Sequence, residues 1–279
     1  MIISVASGKG GTGKTTVAVN IALGLDNVLF IDCDVEEPNA NVFLKSKITD
    51  IEDVNVEIPV IDEDKCDYCR KCSDFCAYNA LAVVKSNVLV FPELCHSCGG
   101  CKIVCPRDAI IYKDKKVGII EHGKNKNIEF YHGLLNIGEI QAVPVIKKLK
   151  QKIDKNRDVI IDAPPGTSCP VIETINSSDY CILVTEPTPF GLNDLKLAVE
   201  VVKHMKIPFG VIINRDGVGN NDVEDFCKNK GIPLLLKIPQ SEKIAKLYSE
   251  GIPFVKELDE YKKSFKELYE KIREEVELS

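Results

Sequence analysis

Eight residues near the start of the chain constrain its fold more than any other feature. The sequence GKGGTGKT at positions 8–15 follows a short apolar run at 1–6 and opens a segment with helical periodicity at 15–25. Glycines at this spacing let the backbone curl, so that successive N–H groups and a helix N-terminus bind phosphate. Lys14 would reach the β- and γ-phosphates, and Thr15 would ligate Mg²⁺. The predicted nucleotide-binding residues of this loop are Gly8, Lys9, Gly10, Gly11, Thr12, Gly13, Lys14, Thr15 and Thr16.

Short apolar runs alternate with helix-like segments along most of the chain. Segments 192–203 and 221–230 have the pattern of helices. Further buried strands are expected at 28–31, 159–161, 181–184 and 211–213. Such alternation favours a parallel sheet with helices on both faces. The predicted fold class is therefore α/β, a doubly wound, mostly parallel sheet of the P-loop NTPase type, with the nucleotide at the carboxyl ends of its strands.

The alternation stops between about residues 59 and 115, where cysteine, proline and turn residues dominate. Eight of the twelve cysteines in the chain lie there, in two copies of the spacing C-x2-C-x2-C-x3-C. The first copy begins at Cys66, and the second begins 29 residues later, at Cys95. We interpret residues 58–115 as an inserted α+β domain made by duplication. The P-loop domain would then consist of residues 1–57 and 116–279.

The spacing of these cysteines indicates iron–sulfur clusters. Clustered cysteines in a reducing compartment indicate metal binding more than disulfides. Three closely spaced thiolates can bind one face of a [4Fe-4S] cubane, and the fourth cysteine of such a run ligates the other cluster. Zinc favours C-x2-C pairs separated by longer loops. The expected ligands are Cys66, Cys69, Cys72 and Cys105 for cluster one, and Cys95, Cys98, Cys101 and Cys76 for cluster two.

Charge and hydropathy narrow the range of partners. The net charge of −6 disfavours non-specific nucleic-acid binding, which requires Lys and Arg to neutralise phosphates. No apolar run reaches the roughly 18 residues of a membrane span, and the start lacks the features of a signal peptide. We expect a cytoplasmic protein that binds neither nucleic acid nor membrane. Residues 259–279 form an expected helix with mixed charge, so its apolar face (Phe265, Leu268, Ile272 and Val276) should pack on the core.

The form KGGTGKT at positions 9–15 resembles the deviant Walker A motif of the MinD/ParA and nitrogenase iron protein class of ATPases. The resemblance implies ATP and Mg²⁺ as cofactors. It also implies a nucleotide-sandwich dimer, either a homodimer or a heterodimer with a related ATPase. In such a dimer Lys9 would reach the phosphates of the partner subunit and act as an arginine finger does.

Two acidic strand ends resemble the same class. By that resemblance, Asp34 in IDCD (31–34) would orient the attacking water from switch I, with Asp32 nearby. In DVIIDAPPG (158–166), Asp162 would hold Mg²⁺ through water, and Gly166 in switch II would sense the γ-phosphate. Either aspartate alone would more commonly be a cap or turn residue, but their positions after buried strands favour the site. The predicted catalytic residues are Lys9, Lys14, Asp34 and Asp162.

Weaker resemblances lie further along the chain. VIINR at 211–215 is similar to the segment whose asparagine contacts adenine, which implies that role for Asn214. IPQ at 238–240 and GIP at 251–253 are similar to the last nucleotide-side loop and strand region. The cysteine segment resembles bacterial two-cluster ferredoxins, with one departure, because Cys76 is followed by Ala77 where that pattern has proline.

Four cysteines lie outside the repeat. Cys33, Cys181 and Cys227 are expected to be buried thiols. Cys169 lies just beyond switch II, and a cysteine in a similar place in the nitrogenase iron protein ligates a cluster that bridges the dimer. We hypothesise that Cys169 is a thiol at a dimer interface able to bind iron.

Three functions fit these observations. The first is an ATPase that couples its nucleotide state to electron transfer through two [4Fe-4S] clusters, with a redox protein as partner. The second is an ATP-dependent cluster scaffold or carrier of the Mrp type, with a cluster-accepting partner. Such carriers usually hold their cluster at a C-terminal C-x-x-C pair, which this sequence lacks after residue 105. The third is a redox-sensing nucleotide switch that positions a protein partner.

Overall fold

The structure is a computed structural model that describes residues 1–25 and 27–278. Its strands are β1 (Ile2–Ala6), β2 (Val28–Asp32), β3 (Lys47–Ile61), β4 (Leu81–Val84), β5 (Asn87–Val90), β6 (Ile110–Asn125), β7 (Ile128–Leu135), β8 (Asp158–Asp162), β9 (Tyr180–Thr185), β10 (Phe209–Asp216) and β11 (Leu234–Pro239).

The helices connect these strands and cover them. They are α1 (Lys14–Leu25), α2 (Ala40–Leu44), α3 (Lys71–Phe75), α4 (Gly100–Ile103), α5 (Val143–Lys150), α6 (Cys169–Ile175), α7 (Pro189–His204), α8 (Asp222–Lys230), α9 (Glu242–Ser249) and α10 (Asp259–Glu277). Short 3₁₀ turns lie at Pro92–Leu94 and Phe254–Lys256.

Nine strands form one sheet in the order β11-β10-β9-β1-β8-β2-β7-β6-β3. The pairs from β11 to β7 are parallel, while β6 pairs antiparallel with both β7 and β3. The predicted mostly parallel α/β sheet is therefore confirmed. The parallel strands β2 and β9 are buried on both faces, which explains why each is a short continuous apolar run in the sequence.

Helices pack on both faces of the sheet. One face packs against α1, α2, α9 and α10 around a core that includes Phe30, Phe130 and Ile182. The other face packs against α5, α6, α7 and α8. Because parallel strands begin at one edge and end at the other, the loops that follow β1, β2, β8 and β9 meet at one edge of the sheet.

The strands β3 and β6 extend beyond this sheet as a two-stranded ribbon. The strand β6 pairs with β7 only from Gly118 to Asn125, so its first half is bonded to β3 alone. The ribbon ends where Ile61 pairs with Ile110, and the cysteines lie between these two residues. The predicted boundaries at 58 and 115 thus fall inside the two strands. Charged side chains occur along both strands, and residues 113–116 are all lysine or aspartate. Neither strand is therefore the kind of short apolar run from which the other strands were predicted.

The last helix, α10, packs on the core. Phe265 is fully buried, Leu268 and Ile272 are also buried, and Val276 packs against the same cluster. The predicted core packing of this segment is confirmed. No helix that the structure describes in residues 1–25 and 27–278 is long and apolar enough to cross a bilayer.

We expect Phe265→Ala to lower the free energy of unfolding by about 3–5 kcal/mol, because the substitution leaves a cavity under α10. Lys263→Ala is the matched control on the same helix, since the Lys263 side chain is 80% exposed. Its expected effect is within about 0.5 kcal/mol. Urea denaturation followed by circular dichroism measures both changes. Equal effects of the two substitutions would mean that α10 does not unfold with the core.

Candidate functional site

The glycine-rich loop connects the carboxyl end of β1 to the first residue of α1. Gly13 has φ of +94°, a conformation that favours glycine. A Cβ atom on Gly13 would lie 2.3 Å from the amide nitrogen of Asn214, and one on Gly8 would lie 2.1 Å from the carbonyl oxygen of Asp194. The loop therefore has no room for side chains at either glycine. Its shape leaves the N-terminus of α1 directed toward the carboxyl edge of the sheet.

Three hydrogen bonds fix this loop to its neighbours. The Asn214 amide donates to the carbonyl oxygen of Thr12 at 2.8 Å. The Gly166 N–H donates to the carbonyl oxygen of Ser7 at 3.1 Å, and the Ser7 hydroxyl donates to the Lys9 carbonyl at 2.6 Å. Gly166 is thus tied to the start of the loop. The amide of Asn214 is engaged by the loop in this structure, and its contact with adenine stays a prediction.

Two buried carboxyl groups lie side by side next to the loop. Asp32 and Asp162 end neighbouring strands and are direct partners in the β2–β8 register. Burial raises the pKa of Asp162 well above its usual value, and the charge of Asp32 raises it further. Hydrogen bonding with Thr15 and the charge of Lys14 oppose this shift. The Oδ1 atom of Asp162 is buried without a hydrogen-bond partner in the described residues, so this position suits a cation or a bound water.

Asp32 organises the loop that follows β2. One of its oxygens accepts the N–H of Asp34 at 3.0 Å, and the other accepts those of Asn39 and Ala40 at 3.2 and 3.1 Å. Burial raises the pKa of Asp32, while these three N–H groups lower it. Asp34 itself is partly buried, and burial raises its pKa against the opposing charge of Lys14. The structure therefore brings Asp34, Asp162, Lys14 and Thr15 together at one edge of the sheet.

Lys9 is paired within its own chain. Its ammonium lies 3.9 Å from one carboxylate oxygen of Glu186, and Arg215 contacts the other oxygen at 2.6 Å. The sequence analysis missed Glu186. It follows the last residue of the buried strand β9, so the same signal that identified Asp162 could have found it. Lys9 must leave Glu186 before it can contact another subunit.

The eight clustered cysteines line two separate cavities. One cavity is bordered by the four cysteines predicted for cluster one: Cys66, Cys69, Cys72 and Cys105. The other is bordered by the four predicted for cluster two: Cys76, Cys95, Cys98 and Cys101. Each cavity therefore takes three cysteines from one copy of the repeat and one from the other.

Several sulfur atoms in these cavities accept hydrogen bonds. Cys76 Sγ accepts the N–H of Ala80, and Cys105 Sγ accepts the N–H of Ala109, each at 3.3 Å. The two hydrogen bonds occupy equivalent positions in the two repeats. Cys101 Sγ lies 3.3 Å from the hydroxyl of Tyr112, a contact that the sequence did not suggest. Within residues 1–25 and 27–278, no three His, Cys, Asp or Glu side chains are grouped so that they could hold a metal ion.

The remaining cysteines differ in exposure. Cys33, Cys181 and Cys227 are buried, as predicted. Burial raises the pKa of Cys181 to about 12 and that of Cys227 to about 11, so both thiols stay protonated at neutral pH. Cys169 is exposed at the first position of α6. Its role at a dimer interface stays a hypothesis.

The loop between β7 and α5 connects the nucleotide edge to the second cysteine cavity. Its residue Gln141 donates to the carbonyl oxygens of Glu93 at 3.3 Å and Cys95 at 3.1 Å. Lys115 contacts Glu93 at 3.8 Å and Glu139 at 2.8 Å. This loop starts directly after β7, where the Leu135 N–H donates to the carbonyl oxygen of Val35 in the loop that follows β2. Hydrogen bonds of Leu135 and Gln141 thus connect the loop after β2 to the Cys95 segment.

A family model described as the CobQ/CobB/MinD/ParA nucleotide binding domain matches residues 3–254. The chain belongs to this family. As a MinD/ParA-type member it is an ATP-binding P-loop ATPase. The model covers most of the chain, including the cysteine segment and the ribbon that carries it.

Similar proteins include members with and without a described function. An uncharacterised protein of Methanocaldococcus jannaschii is 33% identical over 267 residues, which cover 92% of each chain. An iron–sulfur cluster carrier protein of Pyrococcus horikoshii is 26% identical over 290 residues, covering 97% of this chain and 84% of that one. The structure of the septum site-determining protein MinD of Pyrococcus horikoshii with Mg-ADP has a TM-score of 0.61 and 22% identity, covering 97% and 95% of the two chains. This last similarity supports the fold.

We expect Gly13→Ala to abolish detectable MgATP binding, because the new methyl group would collide with Asn214 and deform the phosphate loop. Gly231→Ala is the matched control. Gly231 also has a left-handed φ, of +62°, but it caps α8 away from the loop and its Cβ would meet open space. The left-handed backbone should cost an alanine at either position about 1–2 kcal/mol of stability, and the collision with Asn214 adds to this cost for Gly13→Ala. Calorimetric titration with MgATP distinguishes the two variants. Unimpaired binding by Gly13→Ala would contradict the proposed loop geometry.

Proposed function

We propose that this ATPase couples its nucleotide state to electron transfer through two [4Fe-4S] clusters bound by the cysteine segment. The observation that carries the proposal is the partition of eight cysteines between two cavities. Each cavity has four thiols, interleaved between the repeats as two-cluster ligation requires. When bound, the clusters would supply one-electron storage and transfer.

The residues around the cavities are suited to clusters of iron and sulfide. A tetrahedral zinc site needs four sulfur atoms about 2.3 Å from a single ion. Each set instead takes three cysteines from one repeat and the fourth from the other repeat, which is the arrangement of two-cluster ligation and not that of paired C-x2-C zinc ligands. Backbone N–H groups that bond to Cys76 and Cys105 would stabilise the thiolate form of these ligands.

On the nucleotide side, each residue has a role that its position supports. Lys14 and the N–H groups of the loop would bind the β- and γ-phosphates, and Thr15 and Asp162 would hold Mg²⁺. Asp34 would orient the water that attacks the γ-phosphorus, which releases ADP and phosphate. For this chain we propose a nucleotide-sandwich dimer in which Lys9 exchanges Glu186 for the phosphates of the partner subunit.

Coupling would pass through the loop at residues 136–142. Nucleotide-dependent movement of switch I acts on Leu135 through the Val35 carbonyl. Gln141 holds the backbone of Glu93 and Cys95 from the same loop. A shift of this loop would therefore change the position and hydrogen bonding of the Cys95 segment. Hydrogen bonds and charge near the cysteine ligands set cluster potentials.

The metal content is the first test. Prepared anaerobically, the chain should contain about eight iron atoms, four for each cluster. Cys98→Ser should lose the iron of the second cavity and keep that of the first. Cys227→Ala, which removes a buried thiol on α8, should keep all of it. Iron and acid-labile sulfide assays measure these amounts, and zinc in place of iron would refute the proposal. The same assay on Cys169→Ser decides whether that thiol binds iron.

The second test measures coupling. If nucleotide and clusters share one equilibrium, MgATP must shift a cluster potential by about 59 mV for each tenfold difference in ATP affinity between redox states. Gln141→Leu should retain iron and ATP binding but reduce this shift, because it removes the contact with Cys95. Gln151→Leu at the exposed end of α5 is the control. Anaerobic redox titration monitored by electron paramagnetic resonance measures the potentials. No shift in the unmodified chain would exclude coupling within a single subunit.

A second candidate is an ATP-dependent iron–sulfur cluster carrier. It is favoured by relatives with that name in three Pyrococcus species, which are 25–26% identical to this chain. Incubation with an apo-ferredoxin separates the two functions. A carrier should lose iron to the acceptor in an ATP-dependent way, whereas an electron carrier should keep its iron through repeated oxidation and reduction.

A further inference from the structure

A cavity of about 500 Å³ lies at the edge of the sheet opposite the phosphate loop. It lies where β7 begins, beside Ile128, and is bordered by Leu23 in the last turn of α1 and Leu44 at the end of α2. Val255, in the turn before α10, forms another apolar wall. We call it the lysine cavity, after the side chains described next. No residue of the nucleotide site lines it.

Three lysines give this cavity an unbalanced positive charge. Lys126 and Lys256 line it, and Lys45 is close enough that its charge, like that of Lys126, acts on Lys256. Burial and these two charges together lower the pKa of Lys256. In the part of the chain that the structure describes, none of the three forms an ion pair or a side-chain hydrogen bond. Lys262 adds a fourth ammonium to the lining, and Asp259 is the carboxylate there.

The walls of the cavity are tied together by hydrogen bonds. The Asn125 amide donates to the carbonyl oxygens of Leu44 and Lys45, which joins the β6–β7 turn to the end of α2. The Val255 N–H donates to the Asn20 side chain at 2.9 Å, which joins the turn before α10 to α1. The lysines therefore extend from backbone segments whose relative positions are fixed. Asp259 balances part of this charge, and positive charge remains in excess around the cavity.

Lysines that lie close together repel one another, and an anion bound between them relieves this repulsion. We propose that the lysine cavity binds a phosphorylated small molecule. Lys45, Lys126 and Lys256 would donate to its phosphoryl oxygens. The apolar wall formed by Leu23, Leu44 and Ile128 would contact the rest of the ligand. The volume matches that of a nucleotide-sized molecule.

Binding of tripolyphosphate tests this site with the full chain. Calorimetry is performed at physiological ionic strength, with saturating MgADP to block the phosphate loop. We expect one tripolyphosphate per chain. Replacing Lys45, Lys126 or Lys256 by Gln should weaken binding about tenfold for each lysine removed, because each loses a charged hydrogen bond. All three side chains are exposed enough for the variants to fold, and thermal denaturation checks this.

The control is Lys203→Gln, which removes one exposed lysine from α7 and should leave the affinity unchanged. Equal binding by the unmodified chain and the triple Lys→Gln variant would overturn the proposal. So would the absence of binding to any phosphate probe. A parallel sedimentation assay uses phosphatidylcholine vesicles with phosphatidylglycerol. Lysine-dependent binding to these vesicles without binding to tripolyphosphate would retain the phosphate chemistry and identify a lipid headgroup as its source.

Discussion

Parallel hydrogen bonding of β8 to both β1 and β2 is the interaction on which the nucleotide site depends. It places the phosphate loop beside Asp162 and sets Asp162 in register with Asp32. Two carboxyl groups then lie buried at the end of the sheet, where ionising both is costly unless a cation lies near. A slip of one residue would turn one of them to the opposite face. The register of two central strands thus determines whether a metal-dependent phosphate site exists at all.

At the strand β7 the pairing within the sheet changes from parallel to antiparallel. On one side it bonds in parallel to β2, which ends at Asp32. On the other side it bonds antiparallel to β6, which follows the cysteine segment. The loop after β7 contacts both regions through Leu135 and Gln141. The nucleotide edge and the cysteine segment are therefore connected at the carboxyl end of this strand.

The sequence was sufficient for the parts whose signal is local. The phosphate loop, the apolar central strands and the core face of α10 each follow from a pattern within a few residues. The long strands β3 and β6 were missed, because an exposed ribbon with lysine and aspartate lacks the alternation that identifies a half-buried strand. Gln141 was missed for another reason. Its role arises from a contact with a residue distant in the chain, Cys95. The lysine cavity similarly combines side chains from four separate segments.

The pairing of Ile61 with Ile110 has a consequence for how the cysteine segment could have been acquired in evolution. The two ends of the cysteine segment meet at the distance that separates the ends of an ordinary hairpin turn. To the rest of the sheet, the whole segment is equivalent to such a turn. An ancestral ATPase could therefore gain it, enlarge it by copying one repeat, or lose it again without any change in the packing of the sheet and its helices.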